Sequence, residues 1–237
     1  MRVAREGSEY ALTRLHARYA LLMLPDQWSQ LERIENFAAF VQQARDTVLR
    51  PWLVHFDPHV DAHRIEATLR ELFRQRVAQV ARWIPRQERA AIQWVEQAIL
   101  LPVRRHRSSG GEAYPWLAPT PVADEIPVET DGAALVRAWL AGWRRLWPAR
   151  MENRERRSLE RLIAVCQATQ RGLRDEAFRD AGGTVSVELD LRRMFRRADG
   201  SLAGASAYLV LLWLQTVRLR GALLRRRLFA IRKVRTA

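Results

Sequence analysis

The chain has 237 residues, of which 48% are hydrophobic and 28% charged, and its net charge is +14. These proportions exclude a disordered, fibrous or low-complexity protein, and the length is sufficient for a full hydrophobic core. Almost every basic residue is arginine, which binds carboxylates and phosphates through paired hydrogen bonds. The charge therefore points to nucleic acid, an anionic membrane surface or an acidic protein as partner, unless it reflects a compositional bias towards arginine.

Cysteine usage and the N-terminal residues indicate a cytoplasmic protein. Cys166 is the only cysteine, which leaves no disulfide framework and no cysteine-based zinc site. Its place on a helical apolar face predicts a buried, inert thiol. Arg2 and Arg5 stand at the N-terminus without an apolar signal core, so we expect no secretion.

Helical spacing of apolar residues predicts four helices with short turns in the first hundred residues. Ser8 is the expected N-cap of the first helix. The second helix is predicted over residues 28–50 and is ended by Pro51. Asp61 is the expected N-cap of the third helix, and Pro85 starts the fourth.

Residues 102–131 interrupt this pattern with prolines, glycines and serines, which predicts a long loop. Further helices are predicted at about 133–147, 153–178, 185–197 and from 202 onward. No run of alternating residues predicts a strand, so the expected fold class is all-α. We predict a single all-helical domain over residues 1–237, with a first helical unit at about 8–106, a loop at 107–131 and a second helical unit at about 132–237.

The last stretch joins an apolar run to a strongly basic segment. Residues 202–214 are apolar or small, and no acidic residue occurs from Arg218 to Arg235. The apolar run is shorter than the ~20 residues that a membrane-spanning helix needs, which favours a core helix. The arginines that follow are the predicted partner interface: Arg218, Arg220, Arg225, Arg226 and Arg227.

No catalytic or cofactor site is predicted. His55, His59 and His63 recur at four-residue steps, as zinc ligands on a helix would, but Pro58 falls among them and a solvated loop is the favoured interpretation. The chain contains no phosphate-binding glycine loop and no serine in a nucleophile elbow. We therefore expect a protein that is not an enzyme and that uses no cofactor or metal.

Two further groups admit a structural and a functional interpretation. Trp139, Trp143 and Trp147 lie on one helix face, where core or interface packing is favoured over stacking on the bases of a single strand. Glu32 and Glu66, each with a second glutamate nearby, lie among arginines. Ion pairs on helix surfaces explain them without catalysis.

Three blocks of the sequence carry a resemblance to a known family. Residues 9–22 combine an aromatic residue, an Ala, an Arg and a helical leucine stripe, and a short apolar block follows at 37–48. Residues 61–104 form an amphipathic helix pair that contains Ile65-Glu66. Residues 208–220 begin with an aromatic residue and end in Gln-Thr-Val-Arg-Leu-Arg, before a final basic segment. In this order the blocks resemble the V/A-type ATPase subunit called C in prokaryotes and d in eukaryotes, in a divergent and shortened form.

The resemblance implies a funnel-like array of repeated helical units and a non-catalytic role in the central stalk. Such a subunit joins the rotating shaft to the c-type membrane ring during proton or sodium transport, and it is cytoplasmic and peripheral to the inner membrane. The arginines after residue 217 would meet carboxylates of the shaft or anionic headgroups. One difference is Gln215, where the family has glutamate. The alternative interpretation is an Arg-rich helical nucleic-acid-binding protein.

Overall fold

Helices account for most of the described chain. The structure, a computed structural model, describes residues 2–54, 56–57, 59–101, 132–172, 183–198 and 201–235. This part is 82% helical and contains no strand, which confirms the all-α fold class. The α-helices in chain order are α1 (Arg2–Tyr19), α2 (Pro25–Glu32), α3 (Phe37–Arg45), α4 (Arg50–Leu53), α5 (Ala62–Trp83), α6 (Arg89–Trp94), α7 (Gly132–Arg145), α8 (Asn153–Gly172), α9 (Gly183–Arg196) and α10 (Ser201–Arg235). Short 3-10 turns at Arg86–Glu88 and Val95–Leu100 flank α6.

The helices are divided between two compact units. Unit 1 consists of Met1–His16 and Arg76–Leu211, and unit 2 consists of Ala17–Gln75 and Leu212–Ala237. The predicted loop at residues 107–131 lies outside the described residues. The helices α1, α5 and α10 each contribute residues to both units.

The first helices begin and end at other residues than the sequence predicts. Ser8 lies inside α1, so its prediction as an N-cap is wrong. The predicted helix at 28–50 is also wrong, because Asn36 separates α2 from α3 and its Oδ1 accepts a hydrogen bond from the backbone N–H of Ala39 at 3.0 Å. The first backbone N–H groups of a helix have no partner within that helix, and an asparagine at the N-cap accepts a hydrogen bond from one of them. Pro51 lies in the first turn of α4, where its fixed φ suits a helix start.

Other helix starts are confirmed. Asp61 caps α5, since its Oδ1 accepts a hydrogen bond from the backbone N–H of Arg64 at 2.8 Å. Pro85 precedes the 3-10 turn that leads into α6. The apolar positions of α5 are buried as their spacing predicts, with Ile65 and Phe73 fully enclosed in unit 2.

The tryptophan face of α7 is part of the core of unit 1. Trp139 and Trp143 are buried and stack with their ring centroids 5.9 Å apart. The Trp143 Nε1–H donates to the Ala91 carbonyl at 2.9 Å, and the Trp94 Nε1–H donates to the Trp139 carbonyl at 3.0 Å. Gly142 permits this approach, because a Cβ there would lie 2.5 Å from Cζ2 of Trp94. These rings are therefore not available for stacking on bases.

The long helix α10 contributes its first part to the core of unit 1. Leu202 and Leu209 are fully buried there. Gly204 lies against α1, since a Cβ on it would come within 2.9 Å of Cδ2 of Leu12. Among the described residues, the stretch Ser201–Leu228 meets the length and composition of a membrane-crossing helix, and most of its apolar window is buried within the protein.

Candidate functional site

The predicted partner-interface arginines lie on the second part of α10, within unit 2. Arg218 forms a bidentate ion pair with Glu32 of α2, with its Nε 2.7 Å from Oε1 and its Nη2 2.8 Å from Oε2. Its guanidinium carbon also lies 5.0 Å from the ring centroid of Trp28. The hydrogen bonds from Arg218 hold the pKa of the Glu32 carboxyl below its usual range. This arginine thus holds α2 to α10.

Arg226 is the most deeply buried of the five, with 5% of its surface exposed. It donates to the carbonyls of Ile34 at 2.6 Å, Glu32 at 2.9 Å and Ala222 at 2.9 Å. The guanidinium lies 4.1 Å from the ring centroid of Phe40. The last carbonyls of a helix have no partner within that helix and carry partial negative charge. Arg226 supplies both the hydrogen bonds and the positive charge at the end of α2, and burial lowers its pKa.

The other three arginines differ in their contacts with the rest of unit 2. Arg220 forms an ion pair with Glu66 of α5. Arg227 donates to the His59 carbonyl at 3.1 Å. Arg225 is exposed. Four of the five predicted arginines are therefore tied to other parts of unit 2. Arg220 is exposed in spite of its ion pair, and Arg225 is exposed as well.

Gln215 also has a structural role in unit 2. Its Nε2–H donates to the Met23 carbonyl at 3.0 Å, and the side chain is buried. An ionised glutamate has no hydrogen to donate. The amide of Gln215 is therefore matched to its acceptor in the fold.

The described histidines and Cys166 belong to no metal-binding group. Within the described part of the chain, no group of three His, Cys, Asp or Glu side chains could hold a metal ion. His59 is in a turn and His63 in α5, while His55 lies outside the described residues. Burial of the Cys166 thiol raises its pKa to about 12, which keeps it protonated, although part of the residue is exposed.

A second arginine cluster, which the sequence did not single out, lines a cleft in unit 1. We name it the arginine cleft; its volume is about 580 Å³ and it lies between α8, α9 and the start of α10. Its charged lining residues in the described chain are Arg154, Arg157, Arg161, Asp190, Arg193 and Arg197. Side chains three and four residues apart share a helix face, which brings the α8 arginines together.

The arginine cleft is strongly cationic. Five arginines against one aspartate leave a net charge of +4 on its walls. Asp190 is paired with Arg193, with Oδ1 and Nη1 2.8 Å apart. In the described part of the chain, Arg157, Arg161 and Arg197 are exposed and form no ion pair. The spacing of the α8 arginines was visible in the sequence, but their position opposite α9 depends on tertiary packing.

A buried carboxyl lies at the start of α10 in unit 1. The Ser201 hydroxyl donates to Oε2 of Glu88 at 2.5 Å and lies 3.3 Å from the Ser8 hydroxyl. Glu155 accepts hydrogen bonds from the first backbone N–H groups of α10, including that of Leu202 at 3.1 Å. Burial, with a further contribution from the charge of Glu155, raises the pKa of Glu88 to about 7. The cluster caps α10, and within it Glu88 and Ser201 are buried.

Comparison with known proteins adds no relative. No protein-family model, no curated protein and no solved structure matches the chain.

Proposed function

We propose that the protein is a non-catalytic coupling subunit of a V/A-type rotary ATPase. In this role it joins the shaft subunits to the membrane ring and catalyses no reaction itself. The family resemblance of residues 208–220 supplies the class of assembly. Proton or sodium transport is then the process that the protein serves, at the cytoplasmic side of the inner membrane.

The observation that carries the proposal is the anchoring of the basic part of α10 in unit 2. Arg218 and Arg226 fasten this segment to α2, and Arg220 fastens it to α5. A dense helical core is stiff, and a subunit that transmits torque needs stiffness. Arg225 is left facing solvent on an ordered cationic surface, where a carboxylate of the shaft or an anionic headgroup can reach it.

Co-purification with the shaft and ring subunits of a V/A-type ATPase from the same organism tests the proposal. We expect the full chain to bind them at about 50 mM salt and to release them as salt screens the charges. Arg225→Glu should weaken this association at least about tenfold. Arg64→Glu is the matched control, since Arg64 is another exposed arginine of unit 2, and it should retain binding.

Absence of any association at low salt would refute the proposal. Binding to DNA or RNA that Arg225→Glu abolishes, without association to the rotary subunits, would replace it by the nucleic-acid-binding alternative. Equal effects of the two variants would show general charge attraction and count against a defined interface at Arg225.

A further inference from the structure

We propose that the arginine cleft of unit 1 is a binding site for an anionic amphiphile, that is, an aliphatic chain that ends in a phosphate or a carboxylate. This inference does not depend on a role in a rotary ATPase, because the cleft belongs to unit 1 whereas the coupling proposal rests on contacts within unit 2.

The walls of the cleft suit an anionic head. Arg157 and Arg161 stand one turn apart on α8, and Arg197 lies just after the end of α9. A guanidinium offers a planar pair of donors that matches phosphate or carboxylate oxygens. Because Arg193 is already paired with Asp190, these three arginines carry most of the positive charge that an incoming anion would meet.

The apolar part of the cleft suits an aliphatic tail. Val165 and Met194 are half-buried and provide branched or flexible aliphatic surface, and the buried residues Leu162, Ala203 and Ala207 also line the cleft. The two alanines leave space where larger side chains would fill the cleft. No aromatic residue is among the lining residues of the described chain, so there is no platform on which a base or another aromatic ring would stack.

The size of the cleft also agrees with a small ligand. Its volume of about 580 Å³ lies within the range of about 300–1,000 Å³ that is common for small-molecule sites. Most small-molecule sites have a largely apolar lining with a few polar groups. In this cleft the polar and apolar surfaces are about equal, which suits a ligand with a charged head and an apolar tail. Here the arginines provide orientation, and the aliphatic side chains provide burial of the tail.

Titration calorimetry of the full-length protein with octyl phosphate, below its micelle concentration, tests the inference. We expect saturable binding at one site. Inorganic phosphate, which lacks the tail, and octyltrimethylammonium, which reverses the charge, should each bind at least about tenfold more weakly, because each loses one of the two contributions. Equal affinity for octyl phosphate and inorganic phosphate, or no binding of octyl phosphate, would overturn the proposal.

Variants locate the site. R157Q/R161Q should weaken octyl phosphate binding at least tenfold, since a glutamine retains hydrogen bonding but loses the charge. R150Q/R156Q removes the same charge from exposed positions outside the lining and should leave the affinity within about twofold. Equal losses in the two variants would show non-specific attraction and overturn the proposal.

A third variant tests the tail. Ala207→Leu should displace the aliphatic chain while leaving the arginines in place, provided that its circular dichroism matches the parent protein. Vesicles then distinguish the source of the ligand. Binding to vesicles with anionic phospholipid that both R157Q/R161Q and Ala207→Leu abolish supports a lipid from the bilayer. Binding of octyl phosphate without vesicle binding supports a free amphiphile.

Discussion

Replacement of Arg226 by methionine separates a structural role of the basic segment from a role in partner binding. In the structure this side chain donates to carbonyls of Ile34, Glu32 and Ala222 and lies over the ring of Phe40. Methionine keeps much of the aliphatic volume but offers no donor and no charge. The variant therefore leaves the carbonyls at the end of α2 without their partner.

The contacts set the size of the effect. Hydrogen bonds from a charged donor contribute about 1.5–3 kcal/mol each, so three of them would sum to about 4.5–9 kcal/mol. Part of this is offset, because methionine avoids the several kcal/mol that it costs to bury a guanidinium. The lowered pKa of Arg226 has the same origin in burial. We expect the free energy of unfolding to fall by about 3 kcal/mol, whereas an exposed substitution changes it by about 0.5 kcal/mol or less.

Urea denaturation followed by tryptophan fluorescence and circular dichroism measures the change, and Trp28 reports on unit 2 from its place beneath Arg218. Arg225→Met is the matched control at the neighbouring, exposed position. A loss below about 1 kcal/mol for Arg226→Met, or an equal loss for both variants, would refute the structural role of Arg226.

Three further changes have defined outcomes. Because the pKa of Glu88 is raised to about 7 from 4.5, the folded protein keeps a proton that the unfolded chain releases between these pH values. The free energy of unfolding should therefore fall by up to about 3 kcal/mol as the pH rises through this window. Denaturation at pH 5 and pH 8 measures this difference, and Glu88→Gln should reduce it. Gln215→Glu should lower the free energy of unfolding by about 1–3 kcal/mol at pH 7, and by less at acid pH, where the introduced carboxyl can donate a hydrogen bond. An unchanged urea midpoint at both pH values would contradict this expectation. Gly142→Ala should destabilise the protein by about 1–3 kcal/mol, because the new Cβ clashes with Trp94. Gly221→Ala, in open space within α10, should stabilise the protein by up to about 1 kcal/mol. Melting temperatures that shift in the same direction for both variants would contradict these expectations.

Local patterns predicted much of the helical structure. The apolar spacing of α5, the cap at Asp61 and the burial of Trp139 and Trp143 depend on nearby residues or on a strong periodicity, and the structure confirms them. Trp147 lies beyond the end of α7 and is half-buried. The break at Asn36 was missed because Ile34 and its neighbours continue an acceptable helical stripe. In the structure Asn36 caps α3, and Arg226 donates to carbonyls at the end of α2.

The candidate sites were harder to predict than the helices. Arg154 and its neighbours on α8 have a visible spacing, but a cleft needs a second wall, and the sequence does not tell which helix supplies it. The buried cluster around Glu88 joins residues more than a hundred positions apart through Ser201. Long-range contacts of this kind leave no periodic signal in the chain.

Composition and periodicity by themselves determined that the protein is all-helical, strongly cationic and closed by an apolar helix that turns basic, because backbone propensity and amphipathic spacing act over short distances. Tertiary structure alone decided which arginines are available to a partner. A guanidinium has the same charge whether it faces solvent, as in Arg225, or serves the carbonyls of another helix, as in Arg226. What separates the two is the set of acceptors that folding brings within hydrogen-bonding distance.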